Sequence, residues 1–278
     1  MKFSIVTPTR NNLDKLKRCV GSVRGQVEVD YEHIIQDAMS EDGTGDWLAL
    51  QADITGVSES DGGMYDAINR GWTRSSGDIL SWLNSDEQYL PGTLKLVSDF
   101  FAAHPDVDFL YGDALVVGND GAILAARREI RLSRTYIANS FLNAFSCTTF
   151  FRRRLWEEGG LRLSNGYRYA ADLDLILRLL DAGKCSAKID HYLSAFTLDG
   201  TNLSCHPRML EETAEIQARF SGSRNSLIRR FITLGRYFER WLSGSYKIVD
   251  VEYQFAVDEK PTYKSICQQS VSGSYQTR

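Results

Sequence analysis

Apolar positions along the chain fall into short runs and spaced stripes that take turns. Phe3 to Thr7 is a β-rich run stopped by Pro8, and Asn12 to Val23 sets Leu13, Leu16, Cys19, Val20 and Val23 on one helical face. Tyr31 to Gln36 and Ile54 to Ser58 predict the next two strands, with a polar turn from Asp37 to Thr44 after the first. Met64 to Arg74 predicts a helix carrying Ala67, Ile68 and Trp72, and Ile79 to Leu83 a nearly all-apolar strand. Pro91 then opens a helix at its favoured first-turn position, running to about Ala103. This alternation predicts an α/β fold, Rossmann-like, with a mostly parallel central sheet and helices on both faces.

The middle of the chain changes style. Phe109 to Tyr111, Ala114 to Val117 and Ala122 to Ala125 read as short strands, the last two joined by a hairpin turn at Asn119-Asp120-Gly121. Cys147 to Phe151 and Tyr192 to Leu198 are further strands, and Arg154 to Glu158 and Leu173 to Leu180 are helices, the latter broken at Gly183. From Pro207 a helical extension begins. Leu227, Phe231, Leu234, Phe238 and Trp241 recur as one apolar stripe, with Arg229, Arg236 and Arg240 projecting from the opposite side. Val249 to Val257 alternates like an edge strand, and the last dozen residues, rich in Ser and Gln, are expected to be poorly ordered.

Composition narrows the class of molecule. The 278 residues are 43% hydrophobic and 24% charged, ordinary globular usage. A formal net charge of −4 argues against a globally basic nucleic-acid binder, and no nucleic-acid partner is expected. The five cysteines are dispersed without a CxxC pair, so neither a disulfide framework nor a structural zinc site is indicated. The N-terminus lacks a signal-peptide core and no apolar run approaches the roughly 18 residues of a spanning helix. A reducing cytoplasm is the expected compartment.

Chemistry gathers where strands end. In open α/β sheets ligands bind beyond the carboxyl ends of the strands. Here those ends read Thr7-Pro8-Thr9-Arg10-Asn11, Asp37 to Thr44, Ser58-Glu59-Ser60-Asp61-Gly62-Gly63 and Asn84-Ser85-Asp86-Glu87. Any single polar cluster is ordinary turn chemistry; four at one sheet edge point to a ligand site. Adjacent hard oxygen ligands at Asp86 and Glu87 suit Mg²⁺ or Mn²⁺ completed by phosphate oxygens. The alternative for that pair is capping of the helix at Pro91.

The ordered set of motifs resembles a family-2 glycosyltransferase of the GT-A fold, of the type found in bacterial polysaccharide and O-antigen assembly. Ser4 to Asn11 resembles that family's opening strand and nucleotide-contact loop, and Asp37 to Thr44 its D-x-x-S-x-D-G-T turn. Ser58 to Gly71 is similar to a segment common in such transferases, Leu83 to Glu87 stands at the D-x-D metal motif, and Ala171 to Leu179 resembles the segment carrying the catalytic base. Asn84 replaces the first carboxylate of D-x-D, and Ala171 replaces one acid of a frequent Glu-Asp pair. The resemblance implies inverting transfer from a nucleotide diphosphate-sugar, with UDP the expected carrier, to a hydroxyl of a glycan or lipid-linked glycan, by a hexosyl- or N-acetylhexosaminyltransferase.

It also implies the roles. Asp172 would be the catalytic base, and Asp86 with Glu87 would hold the divalent cation. Pro8, Thr9 and Asp37 would meet base and ribose, with Asp61, Asn84 and Ser85 beside the donor. Phe196, Gly200 and Ser204 resemble a loop that closes over the donor. Asp172 sits at the start of a helix, so a plain N-terminal cap is its structural alternative. Asp174 is expected to be a packing or hydrogen-bonding residue, and Arg70 a solvated one. Residues 1–206 are expected to form the catalytic domain, a nucleotide-sugar half to about 105 and an acceptor half beyond, with 207–278 an extension.

Two other functions share this layout. A sugar-nucleotide pyrophosphorylase would carry a Gly-rich basic phosphate loop, which Thr7 to Asn12 lacks; a catalytically silent nucleotide-sugar binding protein is suggested by Asn84. Arg224 to Trp241, basic on one side and aromatic on the other, reads either as a contact with the anionic inner-membrane surface or as a helix packed on protein. Peripheral attachment to the cytoplasmic face follows from the first reading. Oligomeric state is left open.

Overall fold

A computed structural model of the chain describes residues 1–200, 202 and 206–274. The first half follows the predicted alternation: β1 (Lys2–Thr9), α1 (Leu13–Arg24), β2 (Asp30–Asp37), α2 (Thr44–Ala49), β3 (Ile54–Ser58), α3 (Met64–Arg74) and β4 (Ile79–Trp82). β3, β2, β1 and β4 lie side by side in that order, all parallel. Period-two alternation distributes β1 between two cores. Phe3 and Ile5 join Cys19 and Val23 of α1 on one face; Val6 joins Ile68 and Trp72 of α3 on the other. Helices therefore cover both faces, as the pattern predicts.

Pro91 does not open a helix. Gly92, at φ 79°, is the N-cap of α4 (Thr93–Ala103), and a two-residue strand β5 (Gln88–Tyr89) precedes it. The left-handed turn at Gly92 places the proline outside the first turn, and the tie of β5 to a later strand sets the entry. Asp86 and Glu87 precede β5 and so do not cap α4.

Beyond α4 the sheet becomes mixed. The two short runs predicted at 109–117 are one strand, β6 (Phe109–Val117), followed through the expected hairpin by β7 (Ile123–Arg127). The run looked broken because Gly112-Asp113 interrupts its apolar pattern. Inside the fold, Asp113 meets the Lys188 ammonium at 2.9 Å and accepts the Glu129 N–H, so a charged residue sits in a buried strand. After α5 (Arg134–Asn139), β8 (Thr149–Arg152) enters antiparallel between β4 and β6. Then follow α6 (Arg154–Glu157), α7 (Ala171–Asp181) and β9 (Ser186–Thr197), which pairs parallel with β6 and antiparallel with β5.

The C-terminal part is two helices and a hairpin. α8 (Pro207–Arg219) packs Ile216 and Phe220 into the same core as α3 and α7, so the division expected at Pro207 runs through packed structure. Asn225 caps α9 (Ser226–Leu242), its Oδ1 accepting the Leu227 N–H at 2.9 Å. The stripe of α9 does not pack on the rest of the chain: Phe231 is 72% exposed, while Arg236 and Arg240 are buried. β10 (Val249–Ala256) pairs with β11 (Tyr263–Val271), so residues 267–271 of the tail expected to be poorly ordered are strand, and 275–278 lie outside the described residues. The hairpin lies against α1 at Gly21, where an added Cβ would stand 2.0 Å from the Asp258 carbonyl.

Candidate active site

β1 and β4 are neighbours, so their carboxyl ends release two polar loops at one place. Asn12 Nδ2 donates to Ser85 Oγ at 3.0 Å and ties the loops together. Beneath them Trp82 stacks on Phe151 with ring centroids 5.9 Å apart and meets Trp72 edge-on, a rigid aromatic support. The third contribution comes from the turn into α3. Gly63, at φ 117°, turns the chain there, and its N–H donates to Asp61 Oδ1 at 2.8 Å.

These elements wall a cavity of about 430 Å³. Pro8 and Thr9 of β1, Asp61 before α3, and Asn84, Ser85, Asp86 and Glu87 after β4 all line it. So does Asp172, from the first turn of α7 in the other half of the fold. Its helix begins after Ala170, which occupies the N-cap position, so Asp172 is not the cap. Tyr65 Oη donates to Asp172 Oδ1 at 3.3 Å and the Leu173 N–H donates to the same oxygen at 2.9 Å.

Asp37 is the predicted residue that the cavity does not include. It is buried, and its carboxylate accepts the Ser58 hydroxyl at 2.6 Å and the Ser40 hydroxyl at 2.5 Å, holding two strand-end loops in shape. Conversely, Tyr65, Tyr169, Asn202 and Met209 line the cavity without having been singled out. Tyr65 stands inside the Ser58 to Gly71 segment and is buried in the main core, with its hydroxyl reaching the cavity. Met209 comes from α8, and Glu212 of the same helix accepts the backbone N–H groups of Arg168, Tyr169 and Ala170. The extension thus builds the site's floor.

Of the donor-loop residues, Phe196 lines the cavity, Gly200 is exposed, and Ser204 lies outside the described residues. Asp174 is buried in ion pairs with Arg178, at 2.9 Å, and with Arg219. Arg70 pairs with Asp66 at 2.8 Å and Glu59 at 3.1 Å, away from the cavity.

The sequence profile described as "Glycosyl transferase family 2" matches residues 4–158, more than half of the chain. The chain belongs to glycosyl transferase family 2. A "PGL/p-HBAD biosynthesis glycosyltransferase" of Mycobacterium bovis (strain BCG) is 34% identical over 120 residues, covering 41% of this chain and 47% of that one. The chain thus spans about half the length of such curated relatives. The "O-antigen biosynthesis protein RfbC" of Myxococcus xanthus is 28% identical over 194 residues, 65% of this chain and 14% of that one. Among solved structures, Staphylococcus aureus TarS 1–349 in complex with UDP-GlcNAc superposes with a TM-score of 0.64 at 18% identity, over 88% of this chain and 75% of that one. The mannosyltransferase PcManGT of Pyrobaculum calidifontis, in complex with GDP-Man and Mn²⁺, gives 0.54 at 15% identity, over 86% and 80%. The fold is GT-A.

In this family-2 chain the site's electrostatics follow from burial. Glu87 is buried, and burial followed by the charge of Asp86 pushes its carboxyl up. Its Oε2 accepts the Asn84 N–H at 2.8 Å, which pins the β4 loop. Burial also raises Asp86, against the pull of Lys15. Glu87 thus holds a proton more readily than a solvated glutamate, which favours Asp86 as the charged member of the pair. Burial raises Asp172 as well, with its Leu173 and Tyr65 hydrogen bonds pulling the other way.

A divalent cation fits these residues. Among the described residues Asn84 Oδ1 and Thr9 Oγ1 are buried at the cavity without a hydrogen-bond partner, an unmet demand that an oxygen-seeking cation and a phosphate would satisfy. Among the described residues no group of three or more His, Cys, Asp or Glu side chains is placed so that it could hold a metal ion by itself. The protein would therefore supply part of a coordination shell and leave the rest to the ligand.

Proposed function

We propose that this chain is an inverting glycosyltransferase. It moves a hexosyl or N-acetylhexosaminyl group from a UDP-sugar to a hydroxyl of a lipid-linked glycan in bacterial surface polysaccharide assembly. The observation that carries the reading is that Asp86, from the β4 end, and Asp172, from α7, line one cavity. On this reading Asp86 would face the diphosphate through a cation, and Asp172 would take the proton of the acceptor. The relatives named for O-antigen and PGL biosynthesis support a glycan-assembly role, and the fold shared with proteins in complex with UDP-GlcNAc and GDP-Man supports a nucleotide diphosphate-sugar donor.

Asp86 and Asn84 Oδ1 would hold Mn²⁺ or Mg²⁺, with Glu87 behind them. Such a cation neutralises the charge that grows on the departing diphosphate. Pro8, Thr9, Asp61 and Ser85 shape the donor end of the cavity, and Asp37 keeps the adjoining loops in register. Asp172 acts on the acceptor. Its Tyr65 and Leu173 hydrogen bonds both fall on Oδ1, which leaves Oδ2 to take the hydroxyl proton. As that proton moves, the acceptor oxygen bonds to the anomeric carbon from one side and the bond to the diphosphate oxygen breaks on the other. The bonding pair leaves with the diphosphate.

The test is a thermal-shift panel of UDP, GDP, dTDP and CDP, each with and without Mn²⁺, on wild type and Asp86→Ala. A native-state ligand raises the midpoint by mass action. Stabilisation by UDP that needs Mn²⁺ and vanishes in the variant is the expected result; indifference to every nucleotide would overturn the reading.

A further inference from the structure

α9 is packed with its apolar side out. Leu227, Phe231, Leu234, Phe238, Trp241 and Leu242 are 53–72% exposed along one face. The arginines of the opposite face are held by protein. Arg240 Nη1 donates to Glu129 Oε2 at 2.6 Å with both side chains buried, and its Nη2 donates to the Arg128 carbonyl at 3.0 Å. Arg236 Nη1 donates to the Phe141 carbonyl at 2.6 Å, and its guanidinium stands 3.4 Å from the centre of the Phe141 ring. Arg229 Nε reaches the Asn139 carbonyl at 3.2 Å. Arg229, Arg236 and Arg240 are thus internal anchors and not lipid contacts, and the stripe they fix in place faces solvent.

We propose that this outward face of α9 docks on an anionic lipid bilayer, lying in the interface plane. Charge decides the occupant. Between residues 224 and 248 the exposed charges are Arg224, Arg230 and Lys247; the one acid, Glu239, is half-buried and hydrogen-bonds Tyr136. Two copies of this face brought together would set Arg224, Arg230 and Lys247 of one against those of the other, with the half-buried Glu239 as the segment's sole acid. Anionic headgroups complement them. Trp241 supplies an amphipathic ring that settles at headgroup depth, and Phe231 and Phe238 supply apolar surface beside it. At 17 residues, about 25 Å, the helix suits a position along the surface, and no helix among the described residues is long and apolar enough to cross a membrane. The inference stands apart from the transferase reading, because it is measured without donor or acceptor.

The experiment is flotation of the full chain with phosphatidylcholine vesicles, with and without phosphatidylglycerol. Two double variants accompany wild type: Phe238→Glu with Trp241→Glu, and Arg230→Gln with Lys247→Gln. All four positions are exposed, and an unchanged thermal midpoint checks the fold. Wild type is expected to float, more so with phosphatidylglycerol. The glutamate variant should lose about tenfold or more of its binding, and the glutamine variant the phosphatidylglycerol-dependent gain. Failure of wild type to float on either vesicle, or flotation untouched by the glutamates, would overturn the proposal. So would a vesicle-free dimer in analytical ultracentrifugation that the glutamates disperse, since the face would then belong to a second copy.

Discussion

α7 and α9 are both amphipathic helices with an apolar stripe and a polar side, and they are packed in opposite senses. In α7, Leu173, Leu175, Ile176, Leu177 and Leu179 are buried in the main core. In α9 the stripe is exposed and the arginines are inside. The difference lies in what each helix meets. α7 meets aromatic and aliphatic side chains; α9 meets Glu129 and the carbonyls of Arg128, Asn139 and Phe141, which need donors. Periodicity defines a helix's faces, and the partner surface selects which one goes in.

The largest effect should come where α7 presents chemistry. Asp172→Asn is expected to lower kcat by roughly 10²–10⁴ while leaving the thermal midpoint and the nucleotide-induced shift nearly unchanged. A similar fall in midpoint, or full retained turnover, would remove the base from Asp172.

Next in size are the anchors of α9. Arg240→Met removes one partner of a buried ion pair and should cost roughly 3–5 kcal/mol in urea unfolding. Arg236→Met should stay within about 1 kcal/mol of wild type or gain. Arg236 Nε and Nη2 lack partners among the described residues, and burial pulls its guanidinium down to about 10, so its charge is held at a cost. Equal losses at both positions would mean that the two arginines anchor the helix alike.

A matched pair of truncations compares the stripes directly. Leu177→Ala on α7 should cost roughly 2–5 kcal/mol, and Leu234→Ala on α9 less than about 0.5 kcal/mol. A large loss at Leu234 in vesicle-free solution would mean that this stripe is covered by protein.

The smallest effect is a shift in pH dependence. A base must be unprotonated to act, so kcat/KM should rise with pH through the pKa of Asp172. Burial raises that pKa, which sets the acid limb above the usual aspartate value of about 3.9. The Tyr65 hydrogen bond lowers it, so Tyr65→Phe should move the limb further toward alkaline pH. A limb that moves the other way would mean that Tyr65 favours the protonated form.

Much of the fold was legible because α3 and the strands before it repeat at clean periods between glycine and proline punctuation. Met64–Arg74 was read to its ends. The site was legible because parallel neighbours must release their loops at one edge, which brought Thr9 to Asn84, Ser85 and Asp86. Local sequence alone could not reveal Tyr65 as a partner of Asp172, 107 residues away, or Met209 as part of the wall. Nor could it reveal the strand hidden in the tail, since Tyr263–Val271 owes its shape to pairing with Val249–Ala256.

By itself, the amino-acid sequence determined the elements, the parallel half of the sheet, the family resemblance and the edge at which acids gather. These rest on interactions between residues near in the chain, or on a pattern repeated along it. Tertiary structure decided which face of α9 is buried, that Asp37 is tied to Ser40 and Ser58, and that Met209 of α8 reaches the cavity. Each of those outcomes depends on which donors, acceptors and apolar surfaces distant segments bring together. A buried Arg240 is stable only because Glu129 and a backbone carbonyl wait for it.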